Sequence, residues 1–384
     1  MKRIRWKPLL PIAALAAVGS AAWAGLASTD PQDVREIKGQ FARQASRIES
    51  LELEYRLDTT SELAPEQLLS LSEFHNQLFL PRERWTVAIR GERRFTHQLL
   101  PEQIQYLSEP DEFGLVPPRP PDPRAPGWVR KHQQSLKDQY NRATATLKEQ
   151  QARTGRETAR KPPGTLGPME RDITRAFNGR TLWMRRPIDD KSREVQVWPA
   201  GKKPLHWFGP SAYLMATGLQ PADPTSKGHE SQSIQKMYRL VEWFRDNPYT
   251  LEKTEMIDSS TCVVLKANLN SLLNPALISG EVADRIWLDR DHGMAVRRRE
   301  MSKDGKVHTR WENSAFREVL PGLWLPMEVR HERFGADAPA DWGNKPAIVE
   351  EIRVDRIDLN AVPDERFDLV PRKGDTVEDL RGRF

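Results

Sequence analysis

The sequence predicts a mainly β protein, an α+β chain built on one long antiparallel sheet, with a helix before it and helices inserted midway. Three observations carry that expectation. Apolar and polar residues alternate with period two along most of Tyr249 to Leu359. Turn signals such as Asn178-Gly179, Lys303-Asp304-Gly305 and Pro321-Gly322 separate the alternating runs. Helical spacing is confined to a few segments, of which Pro31 to Ile48 is the first. Long strands with one apolar side must either stack on a second sheet or curl around a core, and helices laid into the concave side would do the second.

At the start, Lys2, Arg3, Arg5 and Lys7 precede the apolar run Leu9 to Ala24, which closes on Ala22-Trp23-Ala24. A charged n-region, an apolar h-region and a small-x-small site predict a signal peptide over residues 1–24, cleaved after Ala24. The run is shorter than the ~20 residues a bilayer-spanning helix needs, and Pro8, Pro11 and Gly19 interrupt it. The expected location is therefore periplasmic or otherwise extracytoplasmic, with contact to membranes at most peripheral.

The remainder, 25–384, is expected to form a single domain. Val34, Ile37, Phe41 and Ile48 make the stripe of an amphipathic helix. In "LELEYRLD" the period changes: Leu51, Leu53, Tyr55 and Leu57 face one way, and Glu52, Glu54, Arg56 and Asp58 the other. Trp85, Val87 and Ile89 alternate up to Gly91, and Phe95, His97 and Leu99 continue on the return, which reads as a hairpin. Residues from about 101 to 168 break the pattern with "PPRPPDPRAPGW" and a polar helical stretch, and are expected to be an insertion. Asn178-Gly179 then marks a second hairpin, "VQVWP" a further strand, and "SAYLMATGL" and "SIQKMYRLVEWFRDN" two apolar-faced helices. The stripe of the second comprises Ile234, Met237, Tyr238, Val241 and Phe244. Strands follow to Leu359, with a wider connection expected at Pro321-Gly322, because a type II turn has the wrong twist for a tight hairpin. The tail after Leu359 is expected to dock or fray.

Charge excludes one class. Of 59 Lys and Arg, four lie in the expected signal, leaving 55 against 54 Asp and Glu, a balance near +1 that argues against nucleic acid as a partner. A single cysteine, Cys262, permits no internal disulfide, and its apolar neighbours Val263, Val264 and Leu265 suggest a small buried side chain. No phosphate loop, serine elbow, His-Glu-x-x-His or paired-cysteine motif occurs. The fragment "LDRDHG" offers Asp289, Asp291 and His292 to a metal, yet Asp and Gly between two strands fit turn chemistry better. No cofactor and no metal are expected, and a carboxylate pair facing across a cleft would be invisible at this level.

The order of "IESLELEYRL", "RWTVAIRGERRF", "AFNGRTLW" and then "RIWLDRDHGMAVRRRE", "FREVLPGLWLP" and "FDLVPRKGDTVED" resembles the outer-membrane lipoprotein carrier and sorting (Lol carrier-like) family. The resemblance covers Pro31 to Leu100 and Asp172 to Asp379. It implies a strongly curved antiparallel sheet, an incomplete β-barrel with helices covering its concave side around an apolar cavity for acyl chains, and no catalytic residues. The proline-rich insertion departs from the compact carriers.

The first functional expectation is thus a non-enzymatic carrier or chaperone whose partner is a hydrophobic ligand, an acyl chain, lipid or lipoprotein. Leu53, Tyr55, Trp85, Val87, Ile89 and Phe95 would line the cavity, with Ile234, Met237 and Val241 as lid. The alternatives are an interaction or sensor domain with a filled core that binds an envelope protein partner, and a hydrolase with hidden carboxylates.

Overall fold

The computed structural model describes residues 31–64, 67–68, 78–79, 82–91, 93–100, 105–106, scattered helical positions between 134 and 149, 171–188, 192–199, 212–219, 239–269, 280–335, 338 and 344–381. The expected signal peptide, most of the 101–168 insertion, and Ile234 and Met237 lie outside these residues.

Helix α1 (Gln32–Ser46) begins after Pro31 and carries Asp33 in its first turn, where a carboxylate suits the positive end of the helix dipole. Val34, Ile37, Lys38 and Phe41, at i, i+3, i+4 and i+7, form its buried stripe. The chain then enters β1 (Ser50–Thr60), and β3 (Glu83–Arg90) and β4 (Arg93–Leu99) form the hairpin around Gly91. Two short strands, β2 (Leu78–Phe79) and β5 (Gln105–Tyr106), pair separately. Next come β6 (Asp172–Phe177), β7 (Thr181–Pro187) and β8 (Arg193–Pro199), then helices α2 (Ala212–Thr217) and α3 (Leu240–Asp246). The run β9 (Thr250–Ile257), β10 (Ser260–Asn268), β11 (Val282–Asp289), β12 (Ala295–Lys303), β13 (Lys306–Leu320), β14 (Leu323–Arg333) and β15 (Ile348–Leu359) follows, and β16 (Asp375–Asp379) comes last.

All but β2 and β5 join one 14-stranded sheet in the order β16-β8-β7-β6-β4-β3-β1-β15-β14-β13-β12-β11-β10-β9. Its ends, β9 and β16, do not pair with each other, so the sheet is an open, incomplete barrel. Register shifts interrupt the ladders β1/β15, β9/β10, β11/β12, β12/β13 and β13/β14. Each such irregularity bends its strand and raises the local twist, which is how a long sheet acquires curvature. Helices α1, α2 and α3 pack on one side, the inner face. There α1 and α3 cover β10 to β12 in one core, and α2 covers β1, β3 and β13 to β15 in a second.

The β6–β7 turn follows its sequence signal. Gly179 takes φ 97°, and the Asn178 side-chain oxygen accepts from the N–H groups of Arg180 and Thr181. At Pro321-Gly322 the expectation of a wider connection is corrected. Leu320 pairs directly with Leu323, leaving a two-residue turn with Gly322 at φ 72°. A register shift between Glu318 and Leu320 absorbs the twist mismatch, and Glu318 Oε1 accepts the Gly322 N–H. The tail docks: a 3-10 turn (Asp364–Phe367) seats Phe367 against Ala88, Phe95 and Ala176 on the outer face, and β16 adds to β8 as the sheet's one parallel pair.

"LDRDHG" is a turn. Asp289 Oδ1 accepts from the N–H groups of Asp291 and His292, and Oδ2 bonds the His292 ring at 2.9 Å. This places Gly293 at φ +63°, where an added Cβ would sit 2.5 Å from the Gly322 carbonyl oxygen. The two turns therefore meet through a glycine. Gly293→Ala should destabilise the fold well beyond the roughly 1–2 kcal/mol of a left-handed alanine. Gly305→Ala, at φ +76° with open space around it, should cost only that amount. Urea unfolding of both variants beside the wild type checks the difference.

Candidate functional site

The inner face is built from the alternation already visible in β1 and β3. Leu53 is fully buried, and Tyr55 stacks between Trp85 and Tyr213 of α2, each ring pair at 6.4 Å between centroids. The Tyr213 hydroxyl donates to the Pro326 carbonyl oxygen at 3.0 Å. Asn313 Nδ2 donates to the carbonyls of Ala216 and Val296, satisfying the end of α2 and tying it to the sheet. Gly218 follows at φ 72°, and Leu240 of α3 lies so close that no Cβ would fit. A Leu219–Arg239 bridge completes the junction of the two helices.

A buried polar network fixes α3. Arg299 grips Asp284 through both carboxylate oxygens, at 3.0 and 2.8 Å, with neither side chain exposed. Tyr249 donates to Asp284 Oδ2 at 2.8 Å, and Trp243 Nε1 donates to Tyr249 at 2.9 Å. Lys38 of α1 donates to the carbonyls of Phe244 and Asn247, both at 2.7 Å, over the Tyr249 ring. Burial and the neighbouring Asp284 charge push the Tyr249 hydroxyl well above its ordinary pKa, so it stays a donor.

Where α1 ends, the inner face opens. A cavity of about 260 Å³ is lined by Ala45, Ile48, Leu51, Ile89, Leu219 and Val241, with Glu49, Arg239 and Glu242 also on its wall. A narrower space of about 30 Å³ shares Ala45, Ile48 and Leu219 with it and runs on to Phe41, Leu323 and Leu325. Together they form a trench under the last turn of α1. Its volume falls just below the ~300–1,000 Å³ of ordinary small-molecule pockets, which suits a slender chain. A further cavity of about 270 Å³ lies among Arg298, Glu312, Glu328, Arg330 and Glu351. Its charges pair with one another (Arg298 with Glu312 at 2.8 Å, Arg330 with Glu351 at 2.9 Å), which marks it as a solvated groove of the outer face.

Of the predicted lining residues, Ile89 and Val241 border the trench. Leu53, Tyr55 and Val87 are packed core beneath α2, and Trp85 is half-buried beside them. Phe95 is a correction: it pairs with Ala88, one residue out of phase with Val87, and lies on the outer face under the tail. The hairpin register moved it, since Arg90 pairs with Arg93 across the turn and this sets Phe95 opposite Ala88. Val241 sits 39% exposed on α3, on the side away from the core formed by Leu240, Trp243 and Phe244. Ile48 and Leu51 also border the trench, and their helical spacing and strand parity could have nominated them. Leu219 had no local signal, because its position depends on the α2–α3 junction.

One carboxylate pair bears on the hydrolase alternative. Glu83 is buried; burial raises its pKa, opposed by hydrogen bonds from Gln98 and Trp85, and Glu350 raises it further. Burial acts likewise on Glu350, but the His331 hydrogen bond at 2.7 Å and its charge outweigh it and lower the pKa. His331 in turn meets Thr309 at 2.9 Å and stacks on Trp311 at 4.7 Å. Both carboxylates are thus occupied by protein donors, and neither lines the cavities above. Burial pushes the Cys262 thiol up to about 12, consistent with an inert core residue. Among the described residues no cluster of three or more His, Cys, Asp or Glu could hold a metal ion, and no helix is long and apolar enough to cross a membrane.

No family model matches the chain, and no curated protein matches it. Its fold is similar to that of several solved structures. A DUF1329 family protein from Desulfovibrio piger aligns at 10% identity, covering 88% of this chain and 98% of that one, with a TM-score of 0.38. A LolA superfamily protein from Nitrosomonas europaea aligns at 11% identity over 88% and 97%, with a TM-score of 0.35. A putative outer membrane lipoprotein-sorting protein domain from Vibrio parahaemolyticus aligns at 8% identity over 87% and 97%, also with a TM-score of 0.35. At such scores the likeness carries no argument about what this chain does.

Asp284→Ala should cost about 3–5 kcal/mol, because it strands the Arg299 guanidinium in the core. Pairing Asp284→Leu with Arg299→Met should restore most of that loss in the same unfolding experiment. For Glu83 the raised pKa means that ionisation opposes folding once the pH exceeds the ordinary glutamate range. Glu83→Gln should therefore raise the melting temperature at neutral pH. The gain should vanish below roughly pH 4, where the free side chain is protonated in both states.

Proposed function

We propose that the protein is a non-enzymatic extracytoplasmic carrier or chaperone that takes an acyl chain, free or attached to a lipid or lipoprotein, into the trench under α1. The observation that carries this reading is the position of Val241. An aliphatic side chain 39% exposed borders an open, largely apolar cavity that Ile89 and Leu219 also line. Covering such a surface with an acyl chain gains roughly 0.8 kcal/mol per methylene removed from water, and release needs no covalent step. Reversible capture follows from a trench that is walled by α1, α2 and α3 yet open at one side. The expected signal peptide over 1–24 would deliver the chain to the extracytoplasmic side, and 25–384 would act as one domain with 101–168 as an insertion.

One feature favours the alternative of a domain that binds an envelope protein partner. Most of the inner face, including Leu53, Tyr55 and Val87, is filled by α2. The two readings separate on ligand. Protein purified from an envelope fraction should carry a stoichiometric acyl adduct in native mass spectrometry, and the apo protein should bind a fluorescent fatty-acid probe. Val241→Asp and Ile89→Asp should each weaken the probe at least tenfold without lowering the cooperativity of unfolding. A clean apo mass with no probe binding would sink the carrier reading in favour of the partner-binding one.

A further inference from the structure

We infer that Arg175 and Thr96 form a subsite for an anionic headgroup, a carboxylate or phosphate carried by an acyl amphiphile; the inference rests on the carrier reading and specifies the ligand.

The placement follows from register. Val87 belongs to the inner core, Thr96 pairs with Val87, and Arg175 pairs with Thr96, so all three project from the inner face in one row. Met184 is the next residue of that row, and Ile173 and Phe177 flank Arg175 along its own strand on the same face. The charged side chains on this face nearest to the guanidinium by register, Arg94 opposite Phe177 and Arg186 two residues along from Met184, are cations and offer it no counter-charge. Among the described residues no carboxylate or carbonyl is hydrogen-bonded to it, and burial alone lowers its pKa. An arginine keeps its proton even so. Other arginines of this chain that lie on or near the inner face are spent: Arg299 on Asp284, Arg94 on the Gly91 and Arg93 carbonyls, Arg239 on Glu242, and Arg186 on Glu194 at 2.7 Å.

Thr96 supplies the second, independent observation. It is 8% exposed, and its buried hydroxyl has no hydrogen-bond partner. The unmet Thr96 hydroxyl is costly to bury, and the guanidinium beside it is partly buried without a counter-charge, so a group that accepts from both is favoured. An anion with two oxygens does so, and the guanidinium fork matches carboxylate and phosphate geometry. By strand spacing and rise, Arg175 lies about 12 Å from Ile89 at the trench, a separation an amphiphile spans with its chain in the trench and its head on the row.

The test compares a fluorescent-displacement titration of a long-chain fatty acid with its neutral alcohol of equal length and with inorganic phosphate, on wild type, Arg175→Gln and Thr96→Val. The wild type should prefer the acid by about tenfold or more. Arg175→Gln should bind acid and alcohol alike and melt no lower than the wild type, because an unpaired, partly buried charge has been removed. Thr96→Val, close in shape, should lose several-fold of the preference and remain folded. Equal binding of acid and alcohol by the wild type would overturn the subsite and leave the carrier standing. A preference that survives Arg175→Gln would also overturn it, as would one that survives Thr96→Val should Arg175→Gln fail to fold. Inorganic phosphate competing as strongly as the fatty acid would overturn the amphiphile assignment. Binding of neither acid nor alcohol would remove the carrier reading itself.

Discussion

The governing constraint is that a 14-stranded sheet with two unjoined ends has one apolar side far too large to leave in water. Closure into a barrel would bury it, but β9 and β16 stay apart, so helices must do the work. The bulged ladders bend the sheet, and α1, α2 and α3 fill the concavity. A few small helices cannot cover such a face completely. The trench beneath Ala45 and Ile48 lies where the coverage of α1 ends and that of α2 and α3 begins. The binding site proposed here is thus a consequence of how the sheet is covered.

Polar groups on the inner side divide into two kinds. Asp284, Arg299, Tyr249 and Trp243 satisfy one another and hold α3 in a single orientation, as does Lys38 with the end of that helix. A buried pair of this sort contributes more to specificity of docking than to net stability. Arg175 and Thr96 are of the other kind, with donors and no acceptor. The contrast within one face is what makes the second pair informative.

The outer face has its own economy. Over β9 to β15 it is a ladder of alternating charges, such as Arg298 with Glu312 and Arg330 with Glu332 and Glu351. Over β3, β4 and β6 it is apolar, with Ala88, Phe95 and Ala176, and the tail from Val362 to Leu369 covers it. The terminal segment therefore completes the fold at the opposite side from the helices. Asp375 secures it further through Arg185, at 3.2 Å.

Much of this was legible in the residues alone. Strand alternation, the Asn178-Gly179 turn and the stripe of α1 are local properties, set by side-chain period and by which residues accept positive φ, so the mainly β class and most elements could be read directly. The same holds for Cys262 as core and Asp289 as a turn former. What only tertiary structure decided depends on register and on meetings between distant segments. Phe95 faces outward because the β3–β4 pairing sets its phase against Ala88. Pro321-Gly322 closes tightly because a bulge near Val319 corrects the twist. In Arg297-Arg298-Arg299 only the last turns inward, to an aspartate 15 residues away. The trench, the filled floor beneath α2 and the unpaired Arg175 all arise where segments far apart in sequence converge. Periodicity specifies which side of a strand is apolar, and packing alone specifies how much of that side is left uncovered.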